Sequence, residues 1–186
     1  MKTRIEKDAL GEMEVPADVY WGIHTQRALN NFKISGQKVP LRLIQALAMV
    51  KKAACLANLE LGYLEKAKGS AVLQAAEEIM AGKHSEAFPL DALQGGAGTS
   101  SNMNVNEVIA NRALEILGRP KADYAFCHPI DTVNLHQSTN DVYPTAVKIT
   151  AIYLLRELSA ATAVSQGVFQ KKETEFQSVI KIGRTE

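Results

Sequence analysis

Residues 94–112 read QGGAGTSSNMNVNEVIANR, and the rest of the chain is organised around this stretch. Its three glycines allow a tight turn with positive φ, and the hydroxyls of residues 99–101 are typical of helix N-caps. Apolar residues then recur at spacings of three and four until Gly118, which is a stop signal. The pattern predicts a buried helix that follows a glycine-rich turn.

The first turn of that helix is a predicted anion site. Unpaired backbone N–H groups, the positive end of the helix dipole and the hydroxyls of Thr99 and Ser100 together suit a carboxylate or a phosphate. A P-loop is excluded because no GKS or GKT follows, and no GxGxxG motif follows a predicted strand. A capped helix with a tight entry turn explains the same residues without a ligand, so both interpretations stay open.

A second group of hydroxyls lies at residues 136–141, which read HQSTND. Ser138, Thr139 and Asn140 offer two short donor–acceptor groups and an amide just before Pro144, a residue that suits the first position of a helix. Redundant N-capping would explain one of these side chains but not all of them. The residues alone do not decide between capping and ligand binding.

Apolar periodicity predicts two further helices, over residues 40–61 and 66–81, each followed by a glycine stop. The predicted buried face of the first helix consists of Leu43, Leu47, Val50, Ala54, Ala57 and Leu61. A long helix is predicted from Pro144 to about residue 178, which at ~1.5 Å per residue spans about 50 Å. Its apolar residues alternate steps of four and three, as in bundle and coiled-coil helices. We call this row the heptad seam; it consists of Val147, Ala151, Leu154, Leu158, Ala161, Ser165 and Val168.

The remaining segments lack helical periodicity. Residues 4–35 mix glycine and proline with short apolar pieces, which predicts loops and one or two short strands. Residues 123–134 contain Pro129 and are predicted to be extended or looped. The expected fold is therefore mainly α, with an N-terminal helical domain over 1–140, followed by a long bundle-type helix in the part over 141–186.

Composition indicates a globular protein without a basic face. Of the 186 residues 46% are hydrophobic, and 21 Lys and Arg nearly balance 20 Asp and Glu. We therefore expect neither nucleic acid nor a membrane as a partner. The charged N-terminus lacks the apolar core of a signal peptide, and no stretch of ~18 uncharged apolar residues occurs, so the expected compartment is the cytoplasm.

Metal chemistry has little support in the sequence. Cys55 and Cys127 lack C-x-x-C spacing and are predicted to be reduced thiols. A site made of Cys127, His128 and His136 would lack the paired spacing of zinc ligands. No metal and no other cofactor is expected.

The segment GGAGTSSNMNVNEVIANRA resembles the first signature segment of the aspartase/fumarase superfamily, whose members eliminate across a C–N or C–O bond to give fumarate. The opening RIEKDALGEMEVPADVYWGIHTQRALNNF, the later HPIDTVNLHQSTNDVYPTA and the terminal KIGRT resemble family segments in the same order. The match covers the N-terminal part of a family chain, so we expect the sequence to be the N-terminal part of a longer protein.

The resemblance implies a set of substrate-binding residues, which are Thr99, Ser100, Ser138, Thr139, Asn140 and Thr185. Asn140 is implied as a partner of the substrate amino group and Thr185 as a contact of the second carboxylate. The family's catalytic base is a serine on a glycine-rich loop in the C-terminal half, so no catalytic residue is expected here. His24 and Arg27 are implied to lie near the site in a supporting role.

The resemblance also implies the chemistry and the assembly. Loss of ammonia from aspartate needs a base that removes a Cβ proton and preorganised donors that stabilise the enediolate, each donor worth about 2.7 to 4 kcal/mol. The family implies a small dicarboxylate substrate and a homotetramer whose central domain contains five long helices per subunit. The helix after Pro144 is similar to the first of these, so residues 141–186 are implied to be the start of this central helical-bundle domain, which is truncated here.

The sequences GAGTS and QSTND favour the aspartase branch of the family, which releases fumarate and ammonia from L-aspartate. A class II fumarase is the first alternative. The second is a non-catalytic helical domain, because the serine base is absent from residues 1–186. Ile130 departs from the usual PND or PNS pattern, which weakens the transfer of a secondary dicarboxylate site to His128 and Asp131.

Overall fold

The structure is a computed structural model, and it describes residues 2–184. Helices dominate the described chain, as predicted, together with one small sheet, a 3-10 turn and a single π-helical turn. The elements in chain order are β1 (Thr3–Asp8), β2 (Gly11–Pro16), α1 (Ile23–Asn31), α2 (Leu41–Glu60), α3 (Lys66–Met80), the 3-10 turn (Ser85–Ala87), α4 (Thr99–Ile116), the π-helical turn (Pro129–Val133) and α5 (Thr139–Phe176).

The chain divides into two compact units, Met1–Ile149 and Thr150–Glu186. The first unit contains the sheet, α1 to α4 and the start of α5, and its core lies where α2, α3 and α4 pack against one another. The predicted domain boundary after residue 140 stays a prediction. No helix in residues 2–184 is long and apolar enough to cross a membrane.

The two strands form an antiparallel hairpin in which Thr3 lies opposite Pro16. The predicted short strands are thus confirmed, but the nine-residue helix α1 was not predicted. Its N-cap, Gly22, has no side chain to satisfy the first N–H groups. The acceptors are Glu6 of β1, which accepts the N–H of Ile23 at 2.8 Å, and Glu107 of α4, which accepts those of Gly22, His24 and Thr25. Both lie outside the segment, so no signal within it marks the start of α1.

Helix α2 is confirmed within a residue at each end, but its buried face differs from the predicted one. Leu47 is buried as expected, whereas Leu61 is exposed just beyond the helix. The buried row instead includes Lys51 and Asn58. The predicted face was wrong because an apolar pattern does not identify polar residues whose bonding partners lie elsewhere in the fold.

Helix α4 starts at Thr99, as the glycine-rich turn predicts, and thirteen of its residues are buried. Gly96 and Gly98 have positive φ, of 95° and 86°, whereas Gly95 does not. The predicted N-cap role of residues 99–101 is wrong. Gly98 is the N-cap residue and no side chain caps the helix, since the hydroxyl of Ser101 donates to Gln94 Oε1 at 3.1 Å.

Helix α5 begins at Thr139, five residues before the predicted start. Ser138 Oγ accepts the N–H of Asn140 at 3.2 Å, so the helix already has its N-terminal cap, and Pro144 lies inside the helix. The predicted continuation to about residue 178 agrees with the observed end at Phe176. The segment 123–134 contains the π-helical turn instead of a wholly extended or looped path.

Candidate functional site

The glycine-rich turn and the start of α5 line one open cavity of about 530 Å³. Gly96 and Gly98 come from the turn, and Asn140 and Tyr143 come from α5. A methyl group at Gly98 would collide with the ring of Tyr143, so the absence of a side chain permits this close approach. The structure therefore brings together the two polar segments that the sequence analysis singled out.

The predicted binding residues take different places around this cavity. Asn140 lines it, and Thr139 precedes Asn140 in the first turn of α5. Thr99 is exposed at the first position of α4, and the hydroxyl of Ser138 accepts a backbone N–H as a cap. Ser100 lines a different cavity, and Thr185 lies outside the described residues.

A network of side-chain amides joins α2, α4 and the segment before α5. Asn134 Oδ1 accepts hydrogen bonds from Asn102 Nδ2 and Asn106 Nδ2, both at 3.2 Å, and from Lys51 Nζ at 2.6 Å. Asn102 Nδ2 also donates to Thr139 Oγ1 at 3.1 Å. These contacts connect α4, which follows the glycine-rich turn, to Asn134 and to Thr139 at the start of α5.

The hydroxyl of Thr139 is oriented by this network. Because its oxygen already accepts a proton from Asn102, its own proton is available to an acceptor outside the network. No acceptor for that proton is present among residues 2–184. Thr139 does not itself line the cavity, whereas the next residue, Asn140, does.

Lys51 is completely buried, and burial lowers the pKa of its amine to about 7. Its Nζ donates to Asn134 Oδ1 and to Gln137 Oε1, at 2.6 and 3.0 Å. The carbonyl oxygens of Asn102 and Asn106 are buried without a hydrogen-bond partner. Apolar periodicity assigns no role to Lys51, although a lysine one turn after Leu47 on an otherwise apolar helix indicates an unusual buried charge.

His24 and Arg27 lie beside Ser100 and not beside Asn140. Arg27 Nε and Nη2 each donate to a carboxylate oxygen of Asp8 at 2.8 Å. These hydrogen bonds lower the pKa of Asp8 and engage the guanidinium in the fold. The supporting role implied for His24 and Arg27 stays a prediction.

A further cavity of about 360 Å³ is shared by His24, Arg27 and His128. Nδ1 of His128 accepts the backbone N–H groups of Ile130 and Asp131, at 3.1 and 3.2 Å, and this bonding starts the π-helical turn. One ring nitrogen of His128 is thus committed to local structure. The geometry explains how the segment folds at Pro129 without a ligand.

Metal ligands do not converge in the part of the chain that the structure describes, where no group of three or more His, Cys, Asp or Glu side chains is placed to hold an ion. Cys55 and Cys127 are both free and buried, and burial raises the pKa of each thiol to about 11. Both are therefore protonated thiols at neutral pH.

The first cavity can bind an anion but offers no general base. Its lining contains amides, glycine backbone and the Tyr143 phenol, and within residues 2–184 it includes no carboxylate, histidine or lysine. Backbone N–H groups at the start of α4 add the positive end of a helix dipole. This combination can hold and stabilise a substrate carboxylate, while proton abstraction would need a group from elsewhere.

Comparisons with known proteins give the family. The sequence profile of a lyase family matches residues 11–186. The aspartate ammonia-lyase of Bacillus subtilis (strain 168) is 53% identical over 182 residues, which are 98% of this chain and 38% of that protein. The class II fumarate hydratase of Photorhabdus laumondii is 48% identical over 184 residues, which are 98% of this chain and 40% of that protein.

Solved structures agree with the sequence matches. A Brucella melitensis structure described as fumarate lyase:delta crystallin superimposes with a TM-score of 0.97 at 51% identity, over 100% of this chain and 44% of its own. A class II fumarase from Schistosoma mansoni gives 0.90 at 37% identity, over 99% of this chain and 39% of its own. The chain thus spans about 40% of the relatives named above. It belongs to the lyase family that contains the aspartate ammonia-lyases and the class II fumarases.

Proposed function

We propose that the protein is the N-terminal part of an aspartate ammonia-lyase, which converts L-aspartate to fumarate and ammonia. The observation that carries the proposal is the cavity in which the glycine-rich turn faces Asn140. Its donors suit a substrate with carboxylates and an amino group, and the amide oxygen of Asn140 can accept a hydrogen bond from a substrate ammonium.

The reaction would proceed through an enediolate. A base removes a Cβ proton, and the electron pair of the broken C–H bond passes into the adjacent carboxylate, which becomes a dianion. That electron pair then forms the C=C bond as the C–N bond breaks, and the amino group leaves with the C–N electrons. The Thr139 hydroxyl and the N–H groups of the glycine-rich turn would stabilise the dianion.

We assign aspartate and not malate as the substrate on the basis of two sequence features, GAGTS at residues 96–100 and QSTND at residues 137–141. The relatives include both activities at similar identity, 53% for an aspartate ammonia-lyase and 48% for a class II fumarate hydratase. The class II fumarase is therefore the second candidate. A hydroxyl leaving group would need an acid that protonates it, whereas an ammonium leaves with its proton already bound.

The test uses the complete product of the gene that contains residues 1–186. Formation of fumarate, followed by its absorbance, is measured with L-aspartate and with L-malate. We expect a higher kcat/KM for aspartate. A higher kcat/KM for malate would assign the protein to the fumarases, and no turnover of either would refute both candidates.

Residues 1–186 alone are expected to show no turnover, because the described part of the cavity contains no general base. The same absorbance assay on the purified chain checks this expectation. The informative control is Thr99→Ala in the same chain. Turnover by the chain that Thr99→Ala abolishes would contradict the expectation and would show that residues 1–186 form a complete site.

A further inference from the structure

Lys51 occupies a position where a lysine is costly. It is 0% exposed, and among the described residues no carboxylate pairs with it, so burial is not offset by an opposite charge. Two N–H groups of its amine donate to Asn134 and Gln137. Even a neutral amine has these two donors, so the contacts do not depend on the charge of Lys51.

The two acceptors are the ends of one tight turn, residues 134–137. Asn134 Nδ2 donates to the carbonyl of Gln137 at 2.8 Å, and Gln137 Nε2 donates to the carbonyl of Val133 at 2.9 Å. Lys51 therefore connects both side chains that close the turn. Ser138, which caps α5, follows the turn directly, so the start of α5 depends on where this turn is held.

The network contains groups that destabilise the folded state, so a contribution to stability does not by itself explain why these residues are buried together. Two buried amide oxygens, those of Asn102 and Asn106, have no partner, and each unpaired buried acceptor costs free energy. Their Nδ2 groups nevertheless converge on Asn134 Oδ1, and Asn102 reaches on to Thr139. The bonds are thus directed at the residues that carry the proposed binding groups.

We propose that Lys51 is a positioning residue for the substrate site: by fixing the turn 134–137 it places Thr139 and Asn140 opposite the glycine-rich turn. This inference rests on the proposed function. It predicts that Lys51 acts on substrate affinity, whereas a purely structural lysine would change only the fraction of folded enzyme and leave KM unaltered.

The experiment measures KM and kcat of the complete gene product with aspartate and malate, for the wild type and Lys51→Met. Lys52→Met is the matched control, because Lys52 is the next residue and forms only a partly exposed ion pair with Glu77 at 2.7 Å. Leu47→Ala controls for lost stability, since Leu47 is buried one turn earlier on the same helix. Amide hydrogen exchange over residues 134–142 is measured in parallel.

Lys51→Met is expected to raise KM by about tenfold, the effect of losing one or two well-placed hydrogen bonds. Both controls should keep KM within about twofold of the wild type. A folded Lys51→Met protein with unchanged KM would overturn the proposal. If that variant does not fold, Gln137→Leu replaces it, and an unchanged KM there overturns the proposal equally.

Hydrogen exchange separates this proposal from the proposed function. If the wild type turns over neither substrate, the proposed function fails, and exchange still shows whether Lys51 fixes the turn. Faster exchange in Lys51→Met, confined to residues 134–142 and absent from Lys52→Met, supports the positioning role. Exchange that is the same in both variants overturns it.

Discussion

Helix α4 buries four asparagines and a glutamate, whereas α5 leaves a row of leucines and isoleucines in solvent. In α5 the side chains of Ile152, Leu155 and Leu158 are 50%, 61% and 62% exposed. In α4 the side chain of Glu107 is 1% exposed. The buried helix thus carries polar side chains and the exposed helix carries apolar ones, which is the opposite of the usual arrangement.

The difference arises because α4 supplies hydrogen-bond partners to the backbone of the 3-10 turn and of two loops. Asn104 Nδ2 donates to the carbonyl of Ala87 at 3.0 Å, and Asn111 Nδ2 donates to that of Tyr20 at 2.8 Å. Asn111 Oδ1 also accepts the N–H of Ala122 at 2.8 Å. Buried loop backbone must be hydrogen-bonded, so a polar central helix replaces the bonds that a sheet would provide.

Glu107 is the strongest case, and its replacement should have the largest effect. Its carboxylate accepts the N–H groups of Gly22, His24 and Thr25, at 2.9, 2.8 and 3.1 Å, and the Thr25 hydroxyl at 2.6 Å. Glu107→Leu would leave these donors unpaired at the start of α1. We expect the free energy of unfolding to fall by about 3 to 5 kcal/mol, measured by denaturant titration.

Two variants sharpen that measurement. Glu107→Gln keeps one acceptor oxygen and should recover part of the loss, while Glu77→Gln removes an exposed carboxylate and should change stability by less than about 0.5 kcal/mol. A Glu107→Leu protein as stable as Glu77→Gln would contradict the view that α4 organises the loops.

The sequence predicts the helices well where one segment contains its own signals. Gly98 and Gly118 bracket α4, and the long run without proline after Pro144 predicts where α5 ends. Helix α1 could not be predicted, because its first N–H groups are accepted by Glu6 of β1 and by Glu107, more than eighty residues later. The observed start of α5 differs from the predicted one because Ser138 caps the helix, and Pro144 lies inside the helix instead of starting it.

The sequence predicts the separate segments of the site but not how their side chains meet in space. The sequence singles out the glycine-rich turn and the segment Ser138–Thr139–Asn140, and the structure places Asn140 beside that turn. The network that joins Lys51, Asn102 and Asn134 is not predictable, because these residues lie far apart along the chain. Periodicity assigns each to a helix face or a loop and cannot show that their side chains meet.

Gly98 is expected to be the next most sensitive position. Gly98→Ala adds strain at φ 86° and a collision with Tyr143, while Gly96→Ala adds only strain, because nothing lies within 4 Å of its added methyl group. We expect losses of about 2 to 4 kcal/mol for Gly98→Ala and about 1 kcal/mol for Gly96→Ala in denaturant unfolding. Equal losses would show that the contact with Tyr143 is unimportant.

Lys51 should make stability depend on pH. Its folded pKa of about 7 lies below the ordinary value near 10.4, so between these values the unfolded chain holds a proton that the folded chain has lost. Stability therefore rises with pH in this window, and the burial penalty is complete only below pH 7. Relative to Lys51→Met, the wild type should gain about 2 kcal/mol between pH 7 and pH 9 in urea titrations. A constant difference between the two proteins would refute the shift.

The smallest effect on the free energy of unfolding is expected for the replacement of exposed leucines in α5. Leu154 and Leu158 of the heptad seam are 47% and 62% exposed, so Leu154→Glu/Leu158→Glu removes little buried area from the isolated chain. We expect the free energy of unfolding of Met1–Ile149 to change by less than about 0.5 kcal/mol. This is the inverse of Glu107→Leu, in which one polar side chain is replaced at large cost.

The same double variant should nevertheless change assembly. Each leucine of the seam would gain roughly 1 to 3 kcal/mol on burial, and a monomer rarely leaves so long an apolar row in water, so we propose that copies of this chain associate through α5. Analytical ultracentrifugation should show dimers or tetramers for the wild type and a monomer for Leu154→Glu/Leu158→Glu. Arg156→Glu is the matched control, since it changes the net charge by the same amount and leaves the seam intact, and it should associate like the wild type. A wild type that sediments as a monomer at every concentration would show that the seam is not an interface between copies, and the exposure of α5 would then need another explanation.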